Sequence, residues 1–180
     1  MKDKTYSMEI AGLKRELPLC SINDKIDIAA FIIFGDVELT VAASAELLKK
    51  APDFDVIITP EAKSIPLAYE MSRQSGKPYV VARKKVKLYM RNPVGVNVKS
   101  ITTEGVQKLY ISEAEANMME GRRILVVDDV ISTGESLEAV RQLVKLAGGD
   151  IVASCAVLAE GDAANRDDII FLEPLPLFNK

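Results

Sequence analysis

Short apolar runs rich in β-branched residues alternate with stretches of helical spacing through the middle and end of the chain. That alternation is the pattern of a parallel sheet covered by helices. Asp55 to Thr59 reads as a buried strand, and Ile65 to Ser75 as a helix stopped by Gly76 and Pro78. Pro78 to Arg83 is the next strand and Arg123 to Asp128 another; a helix follows from about Glu135 to Ala147, closed by Gly148 and Gly149. Ile151 to Leu158 is a further buried strand, and Ile169 to Leu172 an edge candidate. Upstream, Thr40 to Lys50 has helical spacing with Leu39, Ala43, Leu47 and Leu48 on one face. Ile26 to Phe34 is an apolar run that fits strand or helix, because periodicity does not arbitrate at that length. Val86 to Ser112 is a long segment of mixed character, read as a mobile hairpin or flap.

At 180 residues, 48% of them hydrophobic, the chain suits one α/β domain with a real core. A net charge of −3 gives no basic footprint, so nucleic acid is not an expected partner. No apolar run approaches the roughly 18 residues that cross a bilayer, and the first residues lack the apolar stretch of a signal peptide. A cytoplasmic protein is expected, with Cys20 and Cys155 as two buried thiols. There is no histidine. Ser-His-Asp and Cys-His nucleophiles and zinc sites with a His ligand are thereby excluded, which leaves acid–base work to carboxylates, lysines, tyrosines or the substrate.

The most informative stretch runs from Ile124 to Ser136, Ile-Leu-Val-Val-Asp-Asp-Val-Ile-Ser-Thr-Gly-Glu-Ser. Four apolar residues make a buried strand with two carboxylates, Asp128 and Asp129, at its C-terminal end, where ligands bind in open α/β sheets. The amides and hydroxyls of Ser132, Thr133, Gly134, Glu135 and Ser136 then open a helix and make a ready phosphate cradle. Phosphate at one end and hydroxyl-binding acids at the other spell a ribose 5-phosphate.

This stretch resembles the signature of the type I phosphoribosyltransferases, which bind 5-phosphoribosyl 1-pyrophosphate (PRPP). The resemblance implies that Asp128 and Asp129 hold the ribose hydroxyls and that Ser132 to Ser136 hold the 5′-phosphate. Glu135 departs from the family, which often has Gly or Lys there, so only its backbone amide is expected to serve. Thr59 to Ala68 is similar to the family's pyrophosphate loop, with Glu61, Ala62 and Lys63 at its centre and Lys63 in the cationic position. Arg83, Lys84 and Lys87 match the Arg-Lys-x-x-Lys of adenine phosphoribosyltransferases, whose cations neutralise the leaving pyrophosphate, partly across a dimer interface. Glu104, in the flap, falls near the place of that branch's catalytic glutamate. Val130 or Ile131, beside the acids, would stack on the base.

The resemblance implies an open parallel sheet flanked by helices, a flexible flap, and a small hood built from about residues 1–50 and the C-terminal tail of a single 180-residue domain. It implies displacement at the anomeric carbon of PRPP by a purine, adenine foremost, with Mg2+ bound through PRPP near Asp128 and Asp129 and a homodimeric assembly. Xanthine, guanine or orotate remain alternative bases, the last because of the Lys63-Ser64-Ile65-Pro66-Leu67-Ala68 run. A regulator that binds PRPP without catalysis is the rival from another class, although the first fifty residues carry no basic recognition helix.

Overall fold

The computed structural model describes residues 4–99 and 106–180. In chain order the elements are β1 (Thr5–Ile10), β2 (Leu13–Ser21), β3 (Ile26–Ala29), α1 (Val37–Lys50), β4 (Val56–Pro60), α2 (Ile65–Ser75), β5 (Tyr79–Ala82), β6 (Val94–Lys99), β7 (Val106–Ile111), α3 (Glu113–Met119), β8 (Arg123–Ile131), α4 (Glu135–Leu146), β9 (Asp150–Glu160), a 3-10 turn (Gly161–Asn165), β10 (Ile170–Leu175) and β11 (Leu177–Asn179).

Five parallel strands form the central sheet in the order β10-β9-β8-β4-β5. Every residue of β4 is buried, the mark of a strand covered on both faces. Alternation along β8 splits the core in two. Ile124 and Val126 face Leu137, Val140 and Leu143 of α4 with the base of the β6–β7 hairpin. Leu125 and Val127 face Leu39, Ala43 and Leu47 of α1 and Leu67 and Met71 of α2. Each such side chain, taken fully out of water, contributes about 1.5–3 kcal/mol. The helix α2 starts with Pro66 in its first turn and ends on Gly76 at φ 69°, where a side chain would be strained.

A second sheet, antiparallel and ordered β1-β2-β3-β11, packs Ile10, Leu17, Ala29 and Phe31 against the α1–α2 face. Arg15 of β2 ties it to the start of α1, with Nε 2.6 Å from Asp36 Oδ2 and Nη2 2.9 Å from Glu38 Oε2. The paired guanidinium holds the Asp36 carboxyl below its usual range.

Several expectations are amended. The strand expected from Arg123 to Asp128 runs further; β8 continues through Asp129 to Ile131. The run from Ile26 begins as strand β3 and leaves regular structure after Ala29. Cys20 is exposed, because it faces outward on β2, so only Cys155 is a buried thiol, with its pKa pushed up to about 12 by burial. The β1–β2 hairpin, turned at Ala11 and Gly12 (φ 52° and 79°), and the helix α3 were not anticipated. The flap segment contains β6 and β7, joined to the sheet where Arg83 and Tyr110 exchange two backbone hydrogen bonds of 2.8 Å.

Candidate active site

From β4 the sheet grows one way, through α2 to β5; from β8 it grows the other, through α4 to β9 and β10. The C-terminal ends of β4 and β8 therefore meet at a switch point, where open α/β sheets leave a crevice. Helices α2 and α4 both start there. Their first turns differ from the rest of the protein. Asp36 caps α1, and Ser112 caps α3 in a reciprocal box with Glu115, whereas no side chain caps α2 or α4. In α2 the Ile65 N–H donates to the Ala62 carbonyl at 3.2 Å and Pro66 has none, which leaves Leu67, while α4 offers the first-turn N–H groups of Ser136 and Leu137 to an anion.

The acids sit between those helices, Asp128 9% and Asp129 4% exposed. Asp128 Oδ1 accepts the Asp129 backbone N–H at 2.8 Å. Burial, and then the negative charge of Asp129, push the Asp128 carboxyl up to about 8. Asp129 Oδ2 is buried and accepts no hydrogen bond, although Lys63 Nζ lies 3.1 Å from it as an ion pair. Since the Lys63 side chain is 52% exposed, that pair is half open to water.

Lys63 is presented by the turn after β4, where the Glu61–Ala62 peptide is cis. The turn is fixed internally: Thr59 Oγ1 donates to Ser64 Oγ at 2.7 Å, and Ser64 Oγ donates to the Pro60 carbonyl at 3.1 Å, all buried. Glu61 gathers the basic segment. Its Oε2 accepts the Lys84 backbone N–H at 2.9 Å, and its Oε1 lies 3.8 Å from Arg83 Nη1 and 3.9 Å from Lys87 Nζ. Lys84 lines the crevice directly; Arg83 and Lys87 stand behind Glu61.

Three cavities meet at Val130. A crevice of about 360 Å³ lies between the β4 turn and the acids, with Lys63, Lys84 and Ser136 on its walls. A cradle of about 180 Å³ is formed by residues 130–137. A third cavity, of about 390 Å³, opens under the β1-β2-β3-β11 sheet, between residues 28–32 and Val130, with Leu175 and Glu160 behind. The pair Val130 and Ile131 is divided: Val130 reaches the third cavity, while Ile131, 2% exposed, packs in the α4 core and reaches only the cradle. Neighbours on a strand face opposite sides, and a one-residue slip in alternation beyond the acids sends Val130, not Ile131, to the α1–α2 face. Glu104 lies outside the described residues. The Glu135 backbone N–H donates to Thr133 Oγ1 at 3.5 Å.

Two side chains were not foreseen. Glu160 ends β9 after the apolar run Cys155 to Ala159, at the same sheet edge as the acids, a position its sequence context displays. Arg166 leaves no sequence signal. Its guanidinium is held by both Asp168 oxygens at 2.8 Å and lies against Gly134. A Cβ on Gly134, at φ 83°, would fall 2.5 Å from Arg166 Nη1. Gly134→Ala is therefore expected to destabilise the protein by about 1–2 kcal/mol from the left-handed backbone alone. It should also weaken inorganic phosphate binding at least fivefold by calorimetry; Arg166→Ala in the same chain removes the clash but not the backbone strain.

The family model for the phosphoribosyl transferase domain matches residues 37–174. The chain is similar to a hypoxanthine/guanine phosphoribosyltransferase of Methanococcus voltae, 35% identical over 114 residues that are 63% of this chain and 57% of that protein. It is also similar to an adenine phosphoribosyltransferase of Thermotoga petrophila, 38% identical over 109 residues, 60% of each chain. Both matches span less than two thirds of the relative's length. The fold is that of the crystal structure of adenine phosphoribosyltransferase from Thermoanaerobacter pseudethanolicus, with a TM-score of 0.68 over 94% of this chain and 95% of that one at 21% identity.

Proposed function

Since the chain belongs to the phosphoribosyl transferase domain family, we propose that it is a purine phosphoribosyltransferase, condensing adenine with PRPP to give a nucleoside 5′-monophosphate and pyrophosphate. The observation that carries this reading is the meeting of three cavities at Val130, one each for phosphate, sugar pyrophosphate and base.

The 5′-phosphate sits in the cradle on the uncapped first turn of α4, with Ser132, Thr133 and Ser136 adding hydroxyls. Asp128 and Asp129 accept the ribose hydroxyls. Lys63 and Lys84 neutralise the pyrophosphate, and Arg83 and Lys87 turn out from Glu61 to join them. Anchoring the phosphate far from the anomeric carbon fixes the geometry of attack by the purine ring nitrogen, whose bond forms as the bond to pyrophosphate breaks. The proton released from the base passes to Glu104 or to solvent. The β1-β2-β3-β11 sheet acts as the hood of a single domain.

Among the described residues no three potential ligands converge on a metal site. Magnesium would arrive on PRPP, near Asp128 and Asp129, and would supply charge neutralisation to the leaving group; Asp129 Oδ2, buried and accepting no hydrogen bond, suits a hydroxyl beside it. The assembly is proposed to be a homodimer through the basic segment, where Leu88 and Tyr89 are exposed, and the location to be cytoplasmic; no helix of the described residues is long and apolar enough to cross a membrane.

A pyrophosphate-release assay with PRPP and magnesium, run separately with adenine, hypoxanthine, guanine, xanthine and orotate, tests the reading. Turnover with adenine above the others is expected. Turnover with orotate alone would overturn the purine assignment, and silence with all five while PRPP binds by calorimetry would replace the enzyme with a PRPP sensor.

A further inference from the structure

The cavity under the β1-β2-β3-β11 sheet is apolar on most of its wall, with Phe31, Ile32, Val130 and Leu175 facing it. Three side chains bring polar groups to it: Lys63, Ser132 and Glu160. The first two already serve the crevice and the cradle. Glu160 serves neither. The β8–β9 register places Ile131 opposite Ala159, so Glu160 emerges level with Ser132, and on its other side it pairs with Leu175. It is half-buried, and burial raises its carboxyl pKa while the Lys63 charge lowers it. Among the described residues no hydrogen bond or salt bridge engages that carboxylate. A half-buried acid on the wall of an apolar cavity, without such a partner, is placed to accept a hydrogen bond from whatever fills the cavity.

We propose that Glu160 reads the purine, its carboxylate accepting an N–H from an exocyclic amino group and disfavouring bases that present an oxo group there. This rests on the cavity being the base site of a phosphoribosyltransferase, as proposed above. The chemistry follows from donor and acceptor counting. An ionised carboxylate is an acceptor only, so it pairs with an amino group and repels the lone pairs of a carbonyl oxygen. In an apolar pocket that mismatch is not relieved by water, so the discrimination is large.

Two variants test the assignment with kcat/KM for adenine and hypoxanthine. Glu160→Gln supplies a donor as well as an acceptor, so the adenine-to-hypoxanthine ratio should fall about tenfold or more. Glu160→Leu should raise KM for adenine about tenfold or more with the Kd for PRPP unchanged. Turnover by the wild type with an unaltered ratio in Glu160→Gln and an unaltered KM in Glu160→Leu would overturn the role of Glu160 and leave the enzyme assignment standing. If the wild type turns over neither base, calorimetry of both bases with ribose 5-phosphate present reads the same preference. Equal affinities in wild type and Glu160→Gln would then overturn the inference.

Discussion

A chain carrying Asp128→Asn and Asp129→Asn together is expected to lose PRPP turnover by about 10³-fold or more while remaining folded. Asn keeps the volume of Asp and one acceptor oxygen, so the β8 backbone and the Asp129 N–H bond to position 128 survive. What disappears is carboxylate charge at the paired acids of the switch point, where the proposed sugar hydroxyls would need strong acceptors as charge develops at the anomeric carbon. The Lys63 contact is lost too, but Lys63 is half exposed and contributes little to folding. Turnover and far-ultraviolet circular dichroism on the same preparation check the claim. Activity within tenfold of wild type would remove both acids from the mechanism.

The single Asp128→Asn variant should be more stable than the wild type near neutral pH, and more so as pH rises. The folded protein holds Asp128 up near 8 through burial and the neighbouring Asp129 charge, against about 3.9 in an unfolded chain. A carboxyl raised in this way favours folding fully below the unfolded value, and that contribution is lost as pH climbs toward the folded value. Asn never ionises and loses nothing. The stability difference between variant and wild type should grow by at least about 2 kcal/mol between about pH 5 and about pH 8. For a chain of this size that is roughly 4–8 °C in Tm. A difference that stays flat across those two pH values would mean that Asp128 is not held protonated by its surroundings. A stabilising substitution at a residue proposed to serve turnover would be the sign of a site that stores electrostatic strain for its ligand.

The central sheet and its crevice were readable because their signals are local. Four consecutive apolar residues before two acids and a Ser-Thr-Gly turn specify strand, edge and helix start in thirteen positions, and the structure builds all three. Helix α2 was legible to its last residue through Gly76 and Pro78. The N-terminal sheet was not, because its fourth strand, β11, joins β3 from the far end of the chain, with Leu177 opposite Ile28. No local pattern reports that pairing. The helix α3 did carry a signal, the Ser112 to Glu115 capping box, which starts on the last residue of the segment read as a flap and was passed over. Arg166 reaches Gly134 only by the fold of the 3-10 turn, and its role beside the cradle is a tertiary fact.

The contact between Lys63 and Asp129 joins the turn that would hold pyrophosphate to the strand that would hold the sugar. A fragment that carries only phosphates must draw the ammonium away and strand a buried carboxylate. A fragment that carries only hydroxyls satisfies the carboxylate but leaves the ammonium, half in water, without its anion. The intact molecule supplies both replacement partners in one event, so its binding free energy exceeds the sum of its parts. That excess is a form of selectivity against hydrolysed substrate, written into one ion pair rather than into the shape of the crevice.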